Sequence, residues 1–203
     1  MNSRPLWWTL LGLTCFVITA GFLKEHIQRS EDAGAFAGAL PVLGRVKSFD
    51  LTDENGKTFT LDRLRGQVWV ADFIFTRCGG QCPLMTAHVE KIQQLLPKEA
   101  PVQLISITVD PDYDKPAVLK SYAQAHFANP ERWHFLTGSQ AAIATLMRDS
   151  FKLPGVTTGN DAKEPLYHSD RFVLVDPAFQ IRGYYEGTDE ASVAQLVKDM
   201  GRL

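Results

Sequence analysis

Cys78 and Cys82 stand four residues apart in Phe73-Ile74-Phe75-Thr76-Arg77-Cys78-Gly79-Gly80-Gln81-Cys82-Pro83. An apolar, strand-like run gives way there to a helical pattern, so both thiols fall at a helix N-terminus. The amides of that turn favour negative charge, which predicts a thiolate stabilised relative to the thiol at either position. Gly79 and Gly80 leave the loop free to bring the two sulfurs onto one metal ion or into one disulfide. On spacing alone three readings stand open: metal ligation, dithiol–disulfide chemistry, and two structural cysteines. The usual redox dithiol has two intervening residues, and this pair has three. Two soft thiolates with one imidazole suit Cu(I), which prefers sulfur and accepts low coordination numbers. Structural zinc wants a fourth protein ligand.

The chain offers five histidines. His26 lies in a polar stretch near the N-terminus. His126 and His134 have apolar neighbours and read as structural, and His88, past Cys82 on the same helix, reads as an exposed helical position. His168 differs. Two residues separate it from a strand at Arg171–Val175, at a loop end facing the sheet terminus that also carries Cys78. The third cysteine, Cys15, sits in an apolar run and reads as a small apolar residue, so no disulfide scaffold is expected.

The elements that must position these groups follow from periodicity. Phe49–Thr52 and Thr58–Leu61 flank Asp53-Glu54-Asn55-Gly56, a hairpin signal because Asn-Gly accepts positive φ. Val68–Phe75 is nearly continuously apolar, as a buried central strand requires, and Val102–Val109 is a second such strand. Pro83 suits a first helical turn, and Met85, Val89, Ile92 and Leu96 follow as one apolar face. A helix is expected over Pro116–Phe127, a short strand over Trp133–Leu136, and a helix capped by Ser139 through Arg148. Phe151–Pro165 reads as an irregular loop. Strands at Phe172–Val175 and Ile181–Tyr185 and a helix behind Asp189 close the chain. The order describes an α/β sandwich compatible with a thioredoxin-like fold, although periodicity alone leaves a flavodoxin-like one open.

Of 203 residues, 45% are apolar and 22% charged, with a formal net charge of -2. These figures are ordinary for a globular domain, and nothing in them suggests a nucleic-acid partner. Residues 1–4 form a short tail, and Pro5–Leu23 is an uncharged run of about the length that spans a bilayer core. An uncleaved transmembrane anchor is expected there, with the N-terminus cytoplasmic and the main domain on the extracytoplasmic side. Residues 24–40 read as a tether and 41–203 as the folded domain, one core's worth of chain.

Several separate motifs, in register, carry a resemblance. They are Leu61-Asp62-Arg63-Leu64-Arg65-Gly66, Thr76-x-Cys78-x-x-x-Cys82-Pro83, and Val109-Asp110-Pro111-Asp112-Tyr113-Asp114-Lys115-Pro116. Leu136-Thr137-Gly138 follows, then Tyr167-His168-Ser169 ahead of Phe172–Pro177. Over roughly residues 45–190 the chain resembles the Sco/SenC family of copper-binding cytochrome oxidase assembly proteins. The resemblance implies a thioredoxin-like fold with an N-terminal β-hairpin, preceded by one transmembrane helix. It implies copper bound by Cys78, Cys82 and His168, with Asp110 and Asp114 in an acidic loop near the metal that matters in transfer. A turn in which Asp114 caps the helix at Pro116 is the competing reading of that loop.

The implied activity is a metallochaperone serving the CuA centre of a cytochrome c oxidase subunit. Another copper chaperone or a thiol reductant would be further partners. The alternative is a thiol–disulfide oxidoreductase that keeps a copper-site partner's cysteines reduced. The three-residue spacing weighs against generic thioredoxin chemistry, as does His168-Ser169-Asp170 where thioredoxins place their cis-proline. A peroxidase is disfavoured because Thr76 stands two positions ahead of Cys78 where peroxiredoxins need three. The family usually has proline directly after its first cysteine. Gly79-Gly80 departs from that pattern and implies a more mobile loop.

Overall fold

The computed structural model describes residues 39–97, 99–153 and 169–203. The tail 1–4, the apolar span 5–23, residues 24–38 of the tether, and His168 lie outside the described residues, as does 154–165 of the stretch read as irregular. Among the described residues no helix is long and apolar enough to cross a membrane. Pro41–Leu203 forms one compact unit.

In chain order this unit contains β1 (Gly44–Arg45), β2 (Asp50–Asp53), β3 (Thr58–Thr60), a 3-10 turn (Leu61–Leu64) and β4 (Val68–Ile74). There follow α1 (Cys82–Leu95), β5 (Val102–Thr108), α2 (Pro116–Ala125) and β6 (Trp133–Thr137). Then come α3 (Gln140–Thr145) running into a π turn (Leu146–Ser150), β7 (Arg171–Val175), β8 (Gln180–Glu186) and α4 (Glu190–Met200). All eight strands join one sheet in the order β1-β8-β7-β4-β5-β6-β2-β3. β4, β5 and β6 run parallel, and every other pairing is antiparallel. The sheet is therefore mixed, with helices covering it as in the α/β sandwich expected from the sequence.

Local chemistry accounts for most of these elements. Gly56 takes φ of 76° in the β2–β3 turn, the conformation that Asn-Gly favours. The Asp53 carboxylate closes that turn by accepting from the Asn55 and Lys57 amides. β4 is buried at every position, as its near-continuous apolar sequence requires. Ser139 and Asp189 cap α3 and α4, accepting from the amides of Ala142 and Ser192. The two-residue strand β1 was not expected. Its neighbours Leu43 and Val46 donate to the carbonyls of Ile181 and Phe179, backbone bonds that leave no side-chain pattern to read.

Side chains alternate across β4. Trp69 and Phe73 meet Phe151 edge-on, just past the π turn. The opposite face meets α1, which is tied to α2 by Thr86 and Tyr122 hydroxyls 2.9 Å apart and by Glu90 against His126. Asp72 belongs to this second face and is the one charged residue of β4. It is fully buried opposite Ser106 on β5. Ser106 donates to Asp72 Oδ1 at 2.7 Å and accepts from Trp133 Nε1 at 2.9 Å. Asp72 Oδ2 has no hydrogen-bond partner among the described residues.

Burial therefore pushes the Asp72 carboxyl up to about 7, against the smaller opposing effect of the Ser106 hydrogen bond. The folded state then holds a proton that the unfolded chain releases near pH 4, so this group's stabilising contribution falls as pH rises towards 7. Asp72→Asn keeps the shape and the acceptor for Ser106 but removes the ionisation. Urea unfolding at several pH values should show the variant gaining on the parent by roughly 2–3 kcal/mol between pH 5 and pH 8. A parallel pair of profiles would contradict it.

Candidate metal centre

β4 and β5 are parallel neighbours, so the loops leaving their C-terminal ends lie side by side. The first carries Thr76 to Gln81 and the second Val109 to Lys115. Cys82 is the first residue of α1, with Pro83 in the first turn where its missing N–H costs nothing. Cys78 is on the loop just before it. The fold thus brings both cysteines to one helix N-terminus, as the sequence predicts.

Both are thiols rather than a disulfide, and their side chains share a hydrogen bond. The Gly80 amide donates to Cys78 Sγ at 3.4 Å, and the Phe75 amide donates to the Cys82 sulfur. The two differ in access: Cys82 is 1% exposed and Cys78 is 9% exposed. That difference overturns one expectation. Burial pushes the Cys82 thiol far above its ordinary value. The Phe75 amide opposes the rise, while neighbouring Cys78 and the Asp72 carboxylate beneath it add to it. Desolvation outweighs the helix N-terminus here. A soft cation bound to both sulfurs would take the place of those protons, which is the chemistry this donor pair fits.

The acidic loop is held against the cysteine loop by two carboxylates with different tasks. Asp114 is fully buried. It accepts from the Thr76 amide at 3.1 Å and from the hydroxyls of Thr76 and Thr108. It does not cap α2, whose N-cap is Lys115 with no side-chain bond. Asp114 is thus a staple between the ends of β4 and β5, and sequence reasoning missed it because Thr76 lies 38 positions away along the chain. Asp110 lies at the rim. Arg77 Nε and Nη2 donate to its Oδ2 at 2.8 and 2.7 Å, and the same guanidinium stacks 4.5 Å over the Tyr113 ring. Arg77 immediately precedes Cys78, so this contact fixes the rim next to the more accessible sulfur.

At Gly79 a Cβ would meet nothing within 4 Å, so the position beside Cys78 opens onto free space. His88 departs from the exposed position expected of it. It is half-buried, with Nδ1 2.7 Å from the Gly187 carbonyl. His126 and His134 are structural: His126 pairs with Glu90, and His134 packs 5.1 Å from the Phe59 ring. His168 lies outside the described residues. Among those described, no three His, Cys, Asp or Glu side chains form a cluster that would hold a metal ion.

Comparison with known proteins adds to this geometry. The family model described as SCO1/SenC matches residues 43–202. The SCO1 protein homolog of Bacillus subtilis is 35% identical over 162 residues, covering 79% of this chain and 83% of that protein. BsSco, described as a member of the Sco family of cytochrome c oxidase assembly proteins in which a disulfide switch was identified, superposes with a TM-score of 0.69. It is 35% identical, and the match covers 81% of this chain and 99% of that one. Copper-bound ScoI of Bradyrhizobium japonicum superposes at 0.63 with 26% identity, over 76% of this chain and 98% of that one. The thioredoxin-like α/β fold expected from the sequence is the fold shared with these structures.

The staple gives a test by unfolding. Asp114→Ala leaves the Thr76 amide and two hydroxyls unpaired in the interior, and should cost about 3 kcal/mol by urea denaturation. Asp112→Ala, on the exposed part of the same loop, should stay within about 0.5 kcal/mol. Equal effects would remove the distinction between them.

Proposed function

The chain belongs to the SCO1/SenC family, and from that premise we propose that it is a copper metallochaperone. In this reading it binds copper through Cys78, Cys82 and His168 and passes it to the CuA-bearing subunit of a cytochrome c oxidase. The observation that carries the reading is the pair of adjacent, buried thiols at the start of α1, Cys78 the more accessible and Cys82 the deeper. Copper bound to ScoI of Bradyrhizobium japonicum supports the choice of metal.

Uptake exchanges protons for metal. Each thiol that becomes a ligand releases its proton to solvent, and His168 binds in its neutral form. The rise at Cys82 makes the exchange pH-dependent across the neutral range, since that sulfur keeps its proton until a cation displaces it. Release runs the other way. A donor atom of the partner reaches Cys78 first, because Cys78 is the less deeply buried sulfur and Gly79 beside it carries no side chain. Ligands are then replaced one at a time. The apolar span at 5–23 would anchor the chain with this domain on the extracytoplasmic side, where a CuA-bearing partner would be met.

A second reading has its own observation. Two thiols in hydrogen-bonding contact are also placed to close a disulfide. As a thiol–disulfide oxidoreductase the pair would be oxidised to a disulfide while a partner's disulfide becomes two thiols. The disulfide switch described for BsSco favours considering it.

Metal binding by the purified, reduced full-length chain separates these readings. One Cu(I) per chain is expected, with both Cys78→Ser and Cys82→Ser losing it and His168→Ala changing the Cu(II) absorption spectrum. Apparent affinity should fall about tenfold for each unit by which the pH is lowered, for each proton displaced. Stoichiometric reduction of a partner disulfide by a chain that binds no copper would favour the oxidoreductase.

A further inference from the structure

His88 sits six residues beyond Cys82 on α1, about 9 Å along the helix axis. Its Nδ1 lies 2.7 Å from the Gly187 carbonyl. A carbonyl only accepts, so the imidazole carries its proton on Nδ1 in this contact. The amide of the same glycine donates to the Asp170 carbonyl at 2.7 Å. Both polar backbone groups of Gly187 are thus in use, one towards the cysteine helix and one towards the segment entering β7. Arg171 pairs with Glu186 in the β7–β8 ladder, so the Gly187–Asp170 bond closes the last rung of that hairpin.

The junction is also tight. A Cβ on Gly187 would stand 3.0 Å from the Asp170 carbonyl oxygen and 3.0 Å from Met85 Cε. The methionine can swing aside, but the carbonyl belongs to the backbone and can yield only by moving the segment. Gly187 has no positive φ, so space rather than conformation demands glycine. On the near side, Ser169 is buried and its hydroxyl accepts from the Arg171 amide. From Asp170 the chain runs back two residues to His168.

We propose that His88 and Gly187 are positioning residues for the copper site. The chain of bonds His88–Gly187–Asp170 locks the strand-side base of the His168 segment to the helix that begins with Cys82. His88 touches neither cysteine nor metal in this role. It sets where the third ligand's segment leaves the sheet relative to the two sulfurs. Groups that hydrogen-bond a metal ligand directly typically contribute 10- to 100-fold to metal affinity, and a link further out such as this one is expected at the lower end. The inference rests on the proposed ligand set.

The measurement is Cu(II) affinity by chelator competition, together with the thiolate charge-transfer spectrum, on the full-length chain. His88→Leu should weaken binding about tenfold and alter the spectrum. His88→Asn, whose amide nitrogen stands near the place of Nδ1 and can donate to the same carbonyl, should recover most of both. Gly187→Ala, which leaves the imidazole in place but displaces Asp170, should reproduce the loss. In a His168→Ala background, His88→Leu should produce no further change. If His88→Leu and Gly187→Ala both match the parent while His168→Ala does not, the positioning role is overturned and the ligand set stands. An equal loss from His88→Leu with or without His168 would mean a general structural effect, and also overturns it. If His168→Ala itself leaves affinity and spectrum unchanged, the ligand set fails and the inference falls with it.

Discussion

The buried carboxylate of Asp114 receives a backbone amide and two hydroxyls from residues at the ends of two parallel strands. Without that acceptor, Thr76 and Thr108 would carry donors into the interior with nothing to accept them, at a cost of about 1–3 kcal/mol for each. Thr76 lies two residues before Cys78, so its position decides where the cysteine loop leaves β4. The arrangement at the rim depends on it in turn. Only with the two loops joined does Asp110 come within reach of Arg77, and only then does Tyr113 lie beneath the same guanidinium. One interior anchor therefore precedes the exposed contacts that surround the thiols.

Beneath this frame the same low-dielectric interior acts on two acids. Asp72 and Cys82 are both raised, each chiefly by burial, and the charge of either one disfavours ionisation of the other. A buried carboxylate under a thiol is thus poor support for a bare thiolate, whatever the helix N-terminus contributes. It is consistent with a site whose inner sulfur, Cys82, stays protonated when empty and gives up its proton only to a cation. Cys78, nearer the surface, is the sulfur on which a visiting ligand would act. In the metallochaperone reading the two sulfurs would then be a point of exchange and a point of retention.

Much of this was legible in the sequence, for reasons that local chemistry supplies. The Asn55-Gly56 turn, the continuous apolar run of β4, the Ser139 and Asp189 caps and the placement of both cysteines at a helix start are each decided within a few residues. What was misread depends on partners far along the chain. His88 looks exposed on a helical wheel, but its carbonyl partner is 99 positions away. Asp114 precedes a helix and so resembles a cap, while its real partners include Thr76, 38 positions earlier. Asp72 did leave a signal, a lone charge inside VWVADFIF, and a lone charge there asks what is beneath the neighbouring site. The assignment of His168 came from motif order, not from its spacing to the cysteines.

These long-range bonds share a direction. Asp114 ties the cysteine loop to the end of β5, and His88 ties the cysteine helix to the end of β8, so the two thiols are fixed from both sides of the sheet's central strand. Gly79 and Gly80 lie between these fixed points, and a Cβ at Gly79 meets no neighbour. A loop with held ends and an unencumbered middle can admit an incoming donor without giving up the spacing of its own sulfurs. The free space beside Gly79 lies where the proposed exchange would need access. A proline at position 79, as the family usually has, would stiffen the middle while leaving both anchors unchanged.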